Sequence, residues 1–165
     1  MYKRILVPVD GSDTSTRGLK EAVKLAKALN ARLKLVHVLD QSPLVLAPEI
    51  GLVNLMNSLV AAGTEILERA RAYAERHGVK VETAMPETTG RVADVILDEA
   101  RKWRADLIVM GTHGRRGVTH LLLGSDAERV LRASPVPVLL VRGEPETAAR
   151  RTRREKASGR RAAAR

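Results

Sequence analysis

The sequence predicts an α/β fold in which helices cover both faces of a five-stranded parallel sheet. Short apolar runs alternate along the chain with longer segments whose apolar residues recur at the helical period. Such alternation is typical of parallel strands that are joined by crossover helices. Right-handed crossovers leave few possible strand orders, and we predict the order 3-2-1-4-5, in which the chain winds both ways from the first strand. The architecture is then a three-layer sandwich.

The composition is typical of one domain without thiol chemistry. A chain of 165 residues is long enough to bury a core, and its apolar share is 44%. The absence of cysteine excludes disulfides, thiol catalysis and cysteine–metal sites. With no Phe, one Trp and two Tyr, the core must be aliphatic, and proteins that stack bases on aromatic platforms are disfavoured. Because no signal peptide or membrane-length apolar segment is visible, we predict a cytoplasmic protein without a membrane partner.

The individual elements follow from local patterns. Residues 3–9 are a short apolar run and predict the first strand, and either Ser12 or Asp13 caps the helix that follows. Residues 40–47 predict a loop that contains Pro43. The later strands are predicted at residues 33–39, 79–84, 106–110 and 136–141, and the later helices at residues 48–77, 90–103 and 126–131.

Polar and glycine residues mark the ends of two predicted strands. The first strand ends at Val9-Asp10-Gly11, and the fourth ends at Met110-Gly111. In the order 3-2-1-4-5 these strands are neighbours and the winding reverses between them. Because ligands of open α/β sheets bind beyond the carboxyl ends of the strands at such a switch point, we predict the site there.

A glycine-rich segment follows the fourth strand and leads into a helix. Its spacing is Gly111-x2-Gly114-x9-Gly124-Ser125. Gly111 and Gly114 permit a close backbone approach and positive φ, so that their N–H groups can point at phosphate oxygens. The unpaired N–H groups, the helix dipole and the hydroxyl at Gly124 and Ser125 suit a phosphate. The alternative is a tight turn with a helix cap and no ligand.

Several motifs resemble those of the universal stress protein family, and together they extend over residues 3–142. They are Ile-Leu-Val-Pro-Val-Asp10-Gly-Ser12, Val36-His-Val38, Ala105-Asp-Leu-Ile-Val-Met-Gly111-Thr-His-Gly114, Gly124-Ser125-Asp-Ala-Glu-Arg-Val130 and Pro135-Val-Pro-Val-Leu-Leu-Val141. The glycine spacing resembles that of the family's ATP-binding branch. The resemblance implies a flavodoxin-like or adenine-nucleotide-hydrolase-like fold, a homodimer, and ATP (or ADP or AMP) with Mg²⁺ at the switch point.

The resemblance also implies a role for each site residue. Asp10 would accept hydrogen bonds from ribose hydroxyls or hold Mg²⁺ through water. The backbone of Val38 would form hydrogen bonds with the edge of the adenine. Each residue also has a role that needs no ligand. Asp10 could cap the first helix, the apolar residues could pack in the core, and the charged loop residues could simply be solvated. The implied nucleotide-binding residues are Pro8, Val9, Asp10, Val38, Met110, Gly111, His113, Gly114, Arg115, Gly124, Ser125 and Asp126.

Enzyme motifs and metal spacing are missing from the sequence. There is no Gly-x4-Gly-Lys-Ser/Thr, no Gly-x-Gly-x2-Gly and no Gly-x-Ser-x-Gly, and no base is evident for an attacking water. His37 and His120 have no second ligand at metal spacing and predict structural or surface histidines, without a protein-only metal site. A nucleotide-dependent stress regulator with no or slow ATP hydrolysis is therefore favoured. A true ATP-hydrolysing enzyme and a tail-driven adaptor remain as alternatives.

The two ends of the predicted domain suggest partners. The edge strand between Val136 and Val141 is apolar and predicts homodimer pairing, which the resemblance also implies, unless the chain's own tail covers the edge. Residues 1–142 form the predicted domain. Residues 143–165 contain eight Lys/Arg and three Glu, so they carry half of the net charge of +10. This tail is either a flexible solubilising segment or a handle for polyanions or acidic proteins.

Overall fold

The computed structural model of the chain describes residues 1–45, 52–112 and 123–142. The predicted basic tail, His113, Gly114, Arg115 and His120 lie outside these ranges. In chain order the elements are β1 (Arg4–Pro8), α1 (Asp13–Leu29), β2 (Arg32–Val36), β3 (Leu39–Asp40), α2 (Ser42–Val45), α3 (Leu52–Arg76), β4 (Val81–Ala84), β5 (Glu87–Thr88), α4 (Val92–Trp103), β6 (Leu107–Gly111), α5 (Ser125–Ala133) and β7 (Val138–Val141).

Five of the strands form one parallel sheet in the order β4-β2-β1-β6-β7. Numbered along the chain, these are the predicted strands in the order 3-2-1-4-5, so the predicted fold class and strand order are confirmed. The register aligns Ile5 of β1 with Leu33 of β2 on one side and with Leu107 of β6 on the other. β1 therefore lies at the centre of the sheet, and the winding reverses between β1 and β6.

Two aliphatic cores lie on opposite faces of the sheet. Successive side chains of a strand point to opposite faces, and β1 shows this clearly. Ile5 and Val7 pack in the cluster that includes α1 and α3, whereas Leu6 packs in the cluster that includes α4 and α5. All three residues are fully buried. The sheet is thus covered on both faces, as a parallel sheet requires.

Side-chain capping defines where the first helix begins. Ser12 precedes α1 in an extended conformation, and its hydroxyl oxygen accepts a hydrogen bond from the backbone N–H of Ser15 at 3.2 Å. This geometry satisfies one of the N–H groups that the first turn leaves unpaired. Of the two caps that the sequence left open, Ser12 is the one that the structure contains, and Asp13 is the first residue of the helix.

The region after β2 differs from the prediction. The second strand ends at Val36, and a separate two-residue strand, β3, pairs with β5 in a small parallel sheet. Residues 40–47 were predicted as loop, but the chain forms the short helix α2 within them. The Asp40 carboxylate explains this turn, because its Oδ1 atom accepts hydrogen bonds from the backbone N–H and the hydroxyl of Ser42 at 2.9 and 2.5 Å.

The described ranges contain neither a candidate membrane span nor a metal-binding cluster. No helix there is long and apolar enough to cross a membrane. In the same part of the chain, no three His, Asp or Glu side chains lie close enough together to hold a metal ion.

Candidate functional site

The carboxyl ends of β1 and β6 lie side by side at one edge of the sheet. The two strands pair directly, through Ile5 with Leu107 and Leu6 with Ile108. Beyond β1, the N–H of Val9 donates to the carbonyl of Val36 at 2.8 Å, which holds the chain against β2 as it leaves the sheet. The residues that follow these strands therefore meet at the switch point, where open α/β sheets bind their ligands.

Hydrogen bonds join Asp10 to the beginning of α1. Its Oδ1 atom accepts hydrogen bonds from the backbone N–H of Ser12 at 2.9 Å and from the Ser12 hydroxyl at 2.6 Å. Its own N–H donates to the hydroxyl oxygen of Ser15 at 3.1 Å. Asp10 does not cap the helix itself but orients the serine that does. A half-buried carboxylate thus stands at the switch point with a defined orientation.

Gly111 is required by the approach of α1 to the end of β6. A Cβ atom at this position would lie 2.7 Å from the carbonyl carbon of Thr14 and 2.9 Å from the backbone nitrogen of Ser15. Among the described glycines, positive φ occurs at Gly11 and Gly78 and not at Gly111, so the expectation of positive φ there was wrong. The reason is that Gly111 is still a strand residue, paired with Val141.

A backbone hydrogen bond brings the beginning of α5 to the end of β6. The N–H of Gly124 donates to the carbonyl of Thr112 at 2.8 Å, and the carbonyl of Gly124 accepts from the N–H of Glu128 at 2.8 Å. Gly124 is the cap residue, with φ −64° and ψ 147° and no side-chain cap. The first-turn N–H groups of Ser125 and Asp126 have no preceding helical carbonyl as a partner. The positive end of the helix dipole therefore stands beside the switch point.

The apolar residues of the predicted site occupy the same edge but differ in burial. Val9 and Met110 are 5% and 6% exposed and belong to the cores on opposite faces of the sheet. Val38 and Pro8 are half-buried, and Val38 packs against the cluster that includes α4 and α5. Core packing is therefore part of the role of Val9 and Met110, whereas Pro8 and Val38 retain exposed surface.

An open cleft of about 720 Å³ adjoins this edge, between α2, the beginning of α4 and α5. It contains Ser125 and Asp126, which the sequence singled out, and several residues that it did not. These residues come from segments far apart in the chain, and no local motif links them. The lining residues are Asp40, Ser42, Gly90, Arg91, Val92, Ser125, Asp126, Glu128, Arg129, Arg132 and Ala133.

An ion pair joins the two helices that form the wall of the cleft. Arg129 of α5 donates to the two carboxylate oxygens of Asp94 of α4, from Nε at 2.6 Å and from a terminal guanidinium nitrogen at 3.2 Å. This hydrogen bonding by the Arg129 guanidinium holds the pKa of the Asp94 carboxyl below its usual range. The pair links α5 to α4 at the surface and gives one of the cleft's arginines a charged partner.

Comparison with known proteins shows the family of this chain. A sequence model described as the Universal stress protein family matches residues 1–142. The chain belongs to the universal stress protein family. It is 43% identical over 143 residues to Universal stress protein MJ0531 of Methanocaldococcus jannaschii, a match that covers 86% of this chain and 83% of that protein. It is 35% identical to Universal stress protein YxiE of Bacillus subtilis, over 86% of this chain and all of that one.

Solved structures of universal stress proteins share the fold. The structure of MJ0577 matches with a TM-score of 0.77 at 30% identity, over 88% of this chain and 99% of that one. A universal stress protein in complex with cAMP matches with a TM-score of 0.63 at 29% identity, over 86% of this chain and 97% of the other. The resemblance to the universal stress proteins that the motifs indicated is therefore confirmed over residues 1–142.

Proposed function

We propose that this universal stress protein binds ATP with Mg²⁺, or ADP or AMP, across the carboxyl ends of β1 and β6. The nucleotide state would then regulate a stress response in the cytoplasm, with no or slow ATP hydrolysis. The observation that carries the proposal is the hydrogen bond from Gly124 to Thr112, which places the first turn of α5 beside the end of β6. β6 pairs with β1, the strand that leads into Asp10. A structural relative at 29% identity is in complex with cAMP, which has the same base and ribose.

The described residues suit the separate parts of such a ligand. The N–H groups of Ser125 and Asp126 and the Ser125 hydroxyl would hold phosphate oxygens. The half-buried surfaces of Pro8 and Val38 would contact the adenine. Asp10 would accept hydrogen bonds from the ribose hydroxyls or hold Mg²⁺ through water. The described part of the chain contains no cluster of three metal-binding side chains, so Asp10 would be one of few protein groups near the ion. Mg²⁺ characteristically takes few protein ligands and several from phosphate and water.

Gly124 offers a direct test of phosphate binding. Its φ of −64° suits any residue, so Gly124→Ala should leave the backbone unstrained. We expect the variant to fold like the wild type but to lose about tenfold or more in affinity for Mg·ATP, because a Cβ atom prevents the close approach of a phosphate. The measurement is isothermal titration calorimetry together with a thermal melt.

Leu131→Ala, at an exposed position of the same helix, is the matched control and should keep the wild-type affinity. Failure of the wild type to bind any adenine nucleotide at about 1 mM, the weak end of specific binding, would refute the proposal. A steady-state turnover above about 1 s⁻¹ would instead indicate a true ATP-hydrolysing enzyme.

We further propose that the protein is a homodimer in which β7 pairs with its symmetry mate. β7 is an edge strand of the sheet, and its Leu139 is 39% exposed. An apolar edge with unpaired backbone groups is a template for pairing. We expect the wild type to elute as a dimer in size-exclusion chromatography with light scattering, and Leu139→Asp to elute as a monomer because two carboxylates would face each other.

Leu131→Asp, which adds the same charge to an exposed position of α5, should remain dimeric. If the full-length protein is a monomer and deletion of residues 143–165 makes it dimeric, the tail covers the edge and the proposed pairing is wrong for the intact chain.

A further inference from the structure

A buried histidine holds the peptide unit that leads into Asp10. His37 follows β2 and is 6% exposed, and its Nδ1 atom lies 2.7 Å from the carbonyl oxygen of Val9. Since a carbonyl only accepts, the proton of this bond belongs to Nδ1. The carbonyl of Val9 and the N–H of Asp10 form one peptide unit, and that N–H donates to Ser15 at 3.1 Å. Both polar groups of the planar unit are therefore held by side chains.

The histidine ring is itself held by α3. A Cβ atom on Gly63 of α3 would lie 2.8 Å from Cδ2 of His37 and 2.8 Å from the sulfur of Met85. Real Cβ atoms do not approach other atoms so closely, so α3 packs directly on the edge of the imidazole because residue 63 is glycine. This close packing restricts rotation of the ring away from Val9 on the side that faces α3.

We propose that His37 is a positioning residue for the nucleotide site, held in place by Gly63 of α3. It fixes the direction of the Val9–Asp10 peptide and thereby the place of the Asp10 carboxylate at the switch point. This role rests on the proposed nucleotide binding. His37 is not required to contact the ligand, and it acts through the backbone of β1. Through the contact at Gly63, the position of α3 also affects the site.

Amide substitutions separate the two ring nitrogens of His37. The side-chain nitrogen of Asn lies near the position of Nδ1, and that of Gln lies near the position of Nε2. We expect His37→Ala to lower the affinity for Mg·ATP about tenfold, the effect of one lost buried hydrogen bond, and His37→Asn to restore most of it. His37→Gln should not restore it. Affinities are measured by calorimetry well below each variant's melting temperature, so that a loss of stability alone leaves them unchanged.

Gly63→Ala tests the contribution of α3. The added methyl group would meet both the His37 ring and the sulfur of Met85 at 2.8 Å. We expect the resulting shift of the ring to weaken nucleotide binding. Ala62→Ser, at the adjacent exposed position of the same helix, is the control and should bind like the wild type. Wild-type affinity in Gly63→Ala would contradict the role of α3.

Nitrogen NMR of the unliganded protein tests the hydrogen bond independently of any ligand. Long-range proton–nitrogen spectra should show a proton on Nδ1 of His37. A proton on Nε2 alone would overturn the inference, as would equal affinities of wild type and His37→Ala or an equal rescue by Asn and Gln. If the wild type binds no adenine nucleotide, the proposed function fails, and the positioning role fails with it whatever the tautomer. Binding by the wild type with unaffected variants refutes the positioning role alone.

Discussion

Substitution of Gly111 by valine is expected to destabilise the protein by about 3 kcal/mol or more, the upper range for overpacking a core. A Cβ atom at this position would meet the backbone of Thr14 and Ser15 at 2.7 to 2.9 Å. Backbone atoms cannot rotate away as the end of a flexible side chain can, so the beginning of α1 must move. For a chain of this size, such a loss lowers the melting temperature by about 6–12 °C.

Gly90→Ala is the matched control for this prediction. A Cβ atom on Gly90 meets only the Thr88 hydroxyl oxygen, at 3.5 Å, which is an ordinary contact. We expect a change within about 0.5 kcal/mol, as for most surface substitutions. Thermal and urea unfolding of both variants provide the measurement. A Gly111→Val protein with the wild-type melting temperature would show that α1 does not approach β6 as the structure has it.

The displacement of α1 should also weaken the proposed nucleotide site. Ser15 of α1 accepts the hydrogen bond from the N–H of Asp10, so a moved helix carries Asp10 with it. Gly111→Val is therefore expected to lose both stability and nucleotide affinity. Gly124→Ala should lose affinity with only the small loss of stability, about 1 kcal/mol or less, that alanine causes at a helix N-cap. This difference separates a glycine that the fold requires from one that the ligand requires.

Removal of the Glu99 carboxylate is the second change with a large expected effect. Lys34 of β2 donates from Nζ to Oε2 of Glu99 of α4 at 2.8 Å, and the two side chains are 15% and 11% exposed. Glu99→Ala leaves a largely buried ammonium without this partner. Breaking a buried pair in this way destabilises proteins by about 3–5 kcal/mol. Urea unfolding at neutral pH measures the loss.

Two controls separate burial from charge. Glu65→Ala removes one member of the exposed pair with Arg69 on α3 and should change stability by less than about 1 kcal/mol. The double variant Lys34→Met with Glu99→Leu removes both charges and should recover most of the loss, because well-packed apolar residues replace buried ion pairs at little cost. If Glu99→Ala is as stable as the wild type, the prediction is contradicted.

The same pair predicts the direction of the pH dependence. The hydrogen bond from Lys34 holds the pKa of the Glu99 carboxyl below its usual range. A carboxyl whose pKa is lower in the folded state stabilises fully above its unfolded pKa, about 4.3 for Glu, and loses this contribution as the pH falls further. The stability difference between wild type and Glu99→Gln should therefore be large at pH 7 and shrink on acidification below about pH 4. A constant difference over that interval would contradict the assignment.

Much of the fold and part of the site follow from patterns that span a few residues. The apolar periods predict the strands and helices, Ser12 predicts the beginning of α1, and the winding brings Asp10 and Gly111 to one edge. The small β3–β5 sheet was missed because two-residue strands have no period of their own. Lys34 stands in an apolar strand and is a visible exception in the sequence, but its partner lies 65 residues away.

Local patterns were sufficient to predict the strands and helices, because hydrophobic periodicity and turn residues act over one element at a time. The rules for crossover connections then indicated the strand order and the switch point, and the motifs indicated the family. They were not sufficient to show what each residue does there. Gly111 accommodates α1, Gly63 accommodates His37, and His37 holds the peptide before Asp10. Each of these contacts joins elements that are distant in the chain, and close packing between elements, rather than any local preference, determines which atoms meet.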